Sequence, residues 1–214
     1  MAKTVALNVG ESFLEKIIKP IRKKEDIIVL LLESMKMFLV GNIIDNKDSK
    51  GKVIIRVDKM SRIIFEIKDK YFSFNFPFNL ENRELIKFYD SGIGIDIDNK
   101  VVSILLGIFN DELIKNDSLE EIYYELAYIE GIPEIENVWR LVRKLMLFES
   151  GYLRYDYDLD RANGKLHPIH HFDICFSSGN SFKVGLDDKI DIDEFIDILD
   201  IQTECYYLGK NKNK

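Results

Sequence analysis

The chain is poor in cysteine, proline, tryptophan and histidine, with two, four, one and three of them among 214 residues. Cys175 and Cys205 cannot build a disulfide framework, and no CxxC spacing points to a redox or zinc motif, so both read as small buried side chains. Four prolines and twelve glycines exclude a collagen-like or low-complexity chain. The longest apolar run, Ile27 to Leu32, has six residues against the roughly 20 that a membrane span needs. The opening MAKTVALNVGESF has no basic region followed by an apolar run. These absences place the expectation on a cytoplasmic, non-membrane protein. Excess positive charge is lacking too: 37 acidic residues face 30 basic ones, which excludes broad attraction to a nucleic-acid backbone and leaves only a local patch such as Lys16 to Lys24.

What is present is ordinary for a packed domain, at 46% hydrophobic and 12% aromatic residues. Ser12 and Glu15 have capping-box spacing and predict a first helix carrying Phe13, Leu14, Ile17, Ile18 and Ile21, shortened by Pro20. The short β-branched and aromatic stretches Ile27 to Leu32, Met37 to Ile44, Lys52 to Val57, Arg62 to Ile67 and Tyr71 to Phe78 predict an antiparallel meander. Phe72, Phe74, Phe76 and Phe78 alternate on one strand, a stripe that burial alone explains. Helices are expected from Asn79 to Asp90, from Asp98 or Asn99 to Lys115, from the Ser118 and Glu121 capping box to Gly131, and from Pro133 to Gly151. Strands return at Tyr152 to Tyr157, Ile169 to Phe176 and Ser181 to Leu186. A helix from Asp191 to Asp200 and an apolar stretch, Cys205 to Leu208, complete the pattern. The fold class expected is α+β, with antiparallel sheet regions at both ends and a helical middle. It reads as one domain over 1–214, with 1–150 and 151–214 as sub-lobes.

All three histidines fall within LHPIHHFD, at His167, His170 and His171. Strand alternation puts His170 with Phe172 and Ile174, and His171 with Asp173. If the three C-terminal strands pair with apolar faces aligned, Arg154, Asp156, His171, Asp173 and Lys183 gather on the other face. Such a face is ordinarily the solvated side of a half-buried sheet, its charges paired across strands. It also suits chemistry. Asp156, His171 and Asp173 can ligate Mg²⁺, Mn²⁺ or a transition metal, while Lys183 and Arg154 neutralise a phosphoryl group. Without metal, His171 oriented by an aspartate suits a general base. The aspartate strand followed by Lys183 resembles the divided acid and lysine of restriction-type nucleases, although Ser181 stands where their second acid would lie.

The run YLRYDYD, HPIHHFDI, FKVGL and the acidic helix DEFIDIL resembles a bacterial conserved-hypothetical family, over about residues 152–208. Such proteins are often met among mobile or phage-defence genes. The resemblance marks Arg154, Asp156, His167, His171 and Asp173 without giving any of them a role. It implies a bacterial interaction component of a defence-type or toxin-associated system, with a protein partner or a second copy of itself. A metal-dependent phosphodiesterase or nuclease is the alternative. Two weaker signals are set aside. Asp90-Ser-Gly-Ile-Gly has the DxGxG form of gyrase-type ATPases but lacks their second glycine-rich segment, so it reads as a turn. Asp187 to Glu194 lacks the glycine and glutamate of an EF-hand and reads as an acidic helix start.

Overall fold

The computed structural model describes residues 3–41, 45–82, 85–110, 119–128, 135–176 and 182–207. It opens with β1 (Lys3–Val9), α1 (Glu11–Ile17) and α2 (Lys24–Val40), then β2 (Gly51–Val57), β3 (Ser61–Ile67) and β4 (Lys70–Asn75). A small sheet follows, from β5 (Asn79–Asn82), β6 (Ile86–Asp90) and β7 (Ile95–Asp96), and then α3 (Asn99–Asn110), α4 (Leu119–Tyr128) and α5 (Ile135–Leu147). The chain ends on β8 (Leu153–Tyr157), β9 (His170–Ile174), β10 (Phe182–Leu186) and α6 (Ile192–Leu199). The fold class is α+β, with antiparallel strands from both ends of the chain and helices between them. Those strands join in one seven-stranded sheet, ordered β1-β2-β3-β4-β8-β9-β10. The two ends meet where β4 pairs with β8, Lys70 opposite Asp156 and Phe72 opposite Arg154. Among the described residues no helix is long and apolar enough to cross a membrane.

Three expectations are corrected. Ile27 to Leu32 and Met37 to Val40 are not strands but parts of α2, where Ile27, Ile28, Leu30, Leu31, Leu32, Met35 and Phe38 are all buried. A helix buried on nearly every side loses its 3.6-residue stripe and reads like a core strand. Residues 42–44 of the expected second strand lie outside the described residues. The helix expected over Asn79 to Asp90 is instead two strands, in which Leu80 faces Phe88 across a hairpin rather than along a helix. The capping box at Ser12 does not form: α1 is capped at Gly10, and Phe13 and Ile17 are its buried residues. The Ser118 box, Pro133 and the segment to Lys115 lie outside the described residues. β1 carried no recognised signal.

One face of β1–β4 lies against α2, α3 and α5, and Val53, Ile55, Ile63, Phe65, Phe72 and Phe74 are fully buried there. The four phenylalanines are all core, with Phe65 stacked on Phe72 at 4.6 Å between centroids, but β4 ends at Asn75 and Phe76 and Phe78 lie beyond the strand expected to carry them. The opposite face holds a second core of Ile64, Tyr71, Tyr155 and Phe172 around Phe195 of α6. α6 starts as expected: the Asp191 carboxylate accepts from the Glu194 amide and the Glu194 carboxylate from the Asp191 amide, both at 2.9 Å.

Candidate functional site

β8, β9 and β10 carry the polar residues in two cross-strand rows. In one, Asp156 stands between Lys70 of β4 and His171, and His171 stands opposite Gly185. In the other, Asp173 stands between Arg154 and Lys183, with Phe72 on the far side of Arg154. The alignment of Arg154, Asp156, His171, Asp173 and Lys183 is therefore as expected from strand alternation. Their surroundings are not. The face is largely closed to solvent: His171 is fully buried and Asp173 is 5% exposed, Arg154 and Asp156 are half-buried, and Lys183 reaches the rim.

The cover is the β8–β9 connection, residues 158–169. Pro168 lies over Gly185, where an added Cβ would sit 2.8 Å from the proline Cγ, so the glycine makes room for the loop. The Pro168 carbonyl accepts from His171 Nδ1 at 2.9 Å. Lys183 Nζ reaches His167 Nδ1 at 3.3 Å and His171 Nε2 at 3.1 Å. At the loop entrance Arg161 Nε meets Asp158 at 2.9 Å, with His167 Nε2 3.4 Å from the same oxygen. Burial works against the Asp158 charge, but the Arg161 amide and guanidinium together with His167 outweigh it and hold the carboxyl below its ordinary value.

Beneath the loop the charges compensate one another. One Arg154 nitrogen pairs with both Asp156 Oδ2, at 2.7 Å, and Asp173 Oδ2. Burial alone would suppress the Arg154 charge; Asp156, Tyr152 and Asp173 together reverse that and raise its pKa. Burial, with Lys183 adding to it, lowers His171 from 6.5. The imidazole is thus neutral near pH 7, with Nδ1 carrying the proton and the Nε2 lone pair turned toward Lys183. Lys70, beside the cluster, is also lowered, first by burial and then by Arg154. Tyr152 lies next to the cluster, its ring 6.1 Å from that of Phe72, and burial raises its hydroxyl to about 12.

Asp156, His171 and Asp173 each offer a ligand atom, all within 4.8 Å of one another. A neutral imidazole anchored through Nδ1 is the form that ligates a metal through Nε2. Asp173 Oδ1 is buried and accepts no hydrogen bond. The converging oxygens, however, are the ones Arg154 already holds, and Lys183 faces Nε2. A metal ion here would replace the contacts of these two cations.

The remaining signals are structural. His170 is packed as expected, its Nδ1 2.9 Å from Tyr155 Oη and its ring stacked on Tyr157. Asp90 is buried, pairs with Lys144 and accepts from the Ile93 amide at 2.8 Å, which makes DSGIG the turn between β6 and β7. The basic run is not a uniform patch, since Lys16 pairs with Glu33 at 2.9 Å and Glu25, Asp26 and Glu33 share a cavity with its lysines. Both cysteines are exposed, contrary to expectation. Cys175 follows the last residue of β9 with φ 68°, outside the pleat that would have buried it. Sequence reasoning missed Lys70, Asp158, Pro168 and Gly185 as parts of the site. The glycine inside a strand, opposite His171, was the available sign of a close approach. Searches against protein-family models, curated proteins and solved structures found no match.

Proposed function

We propose that the chain is a cytoplasmic protein-interaction component of the defence-type or toxin-associated systems its C-terminal resemblance implies, with the 158–169 loop as its contact surface. The observation behind this reading is the contrast between the two sides of that loop. Its inner side is pinned by Pro168, His167 and Asp158, while its outer side presents Leu159, Leu166 and Ile169, 58%, 84% and 38% exposed. A loop held in one shape loses little entropy on docking, and exposed aliphatic side chains supply the area to bury. The test is co-expression with the products of neighbouring genes, with the oligomeric state measured in parallel. Complex or self-assembly should form with the unaltered chain and be lost in Leu159→Asp/Leu166→Asp at unchanged melting temperature. Assembly indifferent to both substitutions, or no assembly, contradicts the reading.

A second reading, metal-dependent phosphodiester cleavage, is favoured by Asp173 Oδ1, which is buried and accepts no hydrogen bond, with Lys183 Nζ 3.6 Å away. In it Asp156 and Asp173 ligate Mg²⁺ or Mn²⁺, His171 is a ligand or base, and Lys183 and Arg154 stabilise phosphoryl charge. Metal analysis and thermal unfolding with Mg²⁺, Mn²⁺ and Zn²⁺ test it. Stabilisation by a metal that vanishes in Asp173→Ala supports it; no bound metal and no shift oppose it.

A further inference from the structure

A cavity of about 570 Å³ opens beside the start of β8, lined by Lys24, Arg62, Phe148, Tyr152, Cys175 and Phe176 among others. Three other half-buried cations have close carboxylate partners. Arg56 pairs with Asp58 and Asp200, Lys144 with Asp90, and Arg154 with Asp156 and Asp173. Although Glu149 and Glu25 favour the Lys24 charge from farther away, among the described residues neither Arg62 nor Lys24 forms a close ion pair with a carboxylate. They are fastened instead to carbonyls of one turn. Arg62 donates to Gly151 O at 2.8 Å and to Ser73 Oγ at 3.2 Å, and Lys24 donates to Phe148 O while lying 3.7 Å over the Phe148 ring. Gly151 is required there: its φ is 51°, and an added Cβ would lie 3.0 Å from the Arg62 guanidinium. The acid of the lining, Glu149, turns toward the Gly151 amide, 3.4 Å away.

We propose that this cavity binds a small phosphate monoester with an aromatic body. A dianionic phosphate matches two cations that lack close carboxylate partners, and the guanidinium keeps a geometry suited to phosphate oxygens. The Phe148, Tyr152 and Phe176 rings supply faces for a planar group, and the volume lies in the range of small-molecule sites, about 300–1,000 Å³. Such a ligand would lie against Tyr152, whose ring packs near Phe72 opposite Arg154, and so would border the buried cluster without entering it.

Cys175, exposed on the cavity wall, is a built-in reporter. In a Cys205→Ser chain it is the sole thiol, and its alkylation by iodoacetamide is followed with phenyl phosphate, benzoate or phenol added. Phenyl phosphate at millimolar concentration should slow alkylation and raise the melting temperature, benzoate should act more weakly, and phenol should do neither. Lys24→Gln and Arg62→Gln should each weaken phenyl phosphate by about tenfold. Should Arg62→Gln fail to fold, Lys24→Gln and the ligand series decide alone. Equal protection by phenol, none by phenyl phosphate, or full protection in Lys24→Gln overturns the assignment.

Discussion

One face of one sheet is buried in two different ways. Over β2–β4 it is a row of Val, Ile and Phe side chains under helices; over β8–β10 it is Arg154, Asp156, His171 and Asp173 beside a loop, with Lys183 at the rim. The apolar half is stabilised by area removed from water and tolerates any cover of the right shape. The charged half gains only if each group keeps its partner, because desolvation of the ions rivals their attraction. Fixed partners also fix the cover, which is why the loop over this half has one shape.

The largest expected effect is on the charged half. Asp173→Ala leaves Arg154 and Lys183 without a shared acid and should cost about 3–5 kcal/mol in urea unfolding, as breaking a buried pair does. Replacing Arg154, Asp156 and Asp173 together by Met, Leu and Leu should cost far less than Asp173→Ala, or stabilise the fold. If the triple substitution is the worse of the two, the charges are not a closed set. On the apolar half Phe72→Ala should also cost about 3–5 kcal/mol, but without altering the pH dependence.

Gly185→Ala drives a methyl into Pro168 and should cost about 1–3 kcal/mol. Gly107, exposed within α3 with no neighbour within 4 Å of an added Cβ, should give the opposite sign on substitution by alanine, a gain of about 0.4–1 kcal/mol. The smallest effect separates the halves by pH. His171 is held below 6.5, so just under that pH the unfolded chain binds a proton that the folded chain refuses. Stability therefore rises with pH up to 6.5 and falls as pH drops from there to the folded value. Asp158 acts lower: its folded value is depressed, so its contribution is present above 3.8 and is lost as pH falls through the folded value. Chemical unfolding across pH 3 to 8 should show stability falling as pH drops below 6.5, a slope absent in His171→Gln.

Much of this architecture is legible in the sequence where periodicity is clean. The burial of Phe72 to Phe78, the three C-terminal strands, the Asp191 cap and the α+β class all follow from local spacing. The α2 region misleads because a helix buried on nearly all sides has no polar stripe, and Asn79 to Asp90 misleads because the paired strands β5 and β6 place apolar residues at helix-like intervals. The grouping of the five cluster residues needs only period two and aligned apolar faces. Their burial does not follow from period, because it comes from a twelve-residue loop folding back, signalled only by Pro168 and by Gly185 within a strand.

The central claim is that the charged half of the sheet face is closed by the 158–169 loop, with neutral His171 locked to the Pro168 carbonyl. The imidazole nitrogens of His171, followed by NMR from pH 8 to 5 and assigned against His171→Gln, test it most directly. The account predicts a single tautomer protonated at Nδ1, slow exchange of that proton with water, and no titration near 6.5. An imidazole that titrates at its ordinary value and exchanges freely would show an open, solvated face and contradict the account.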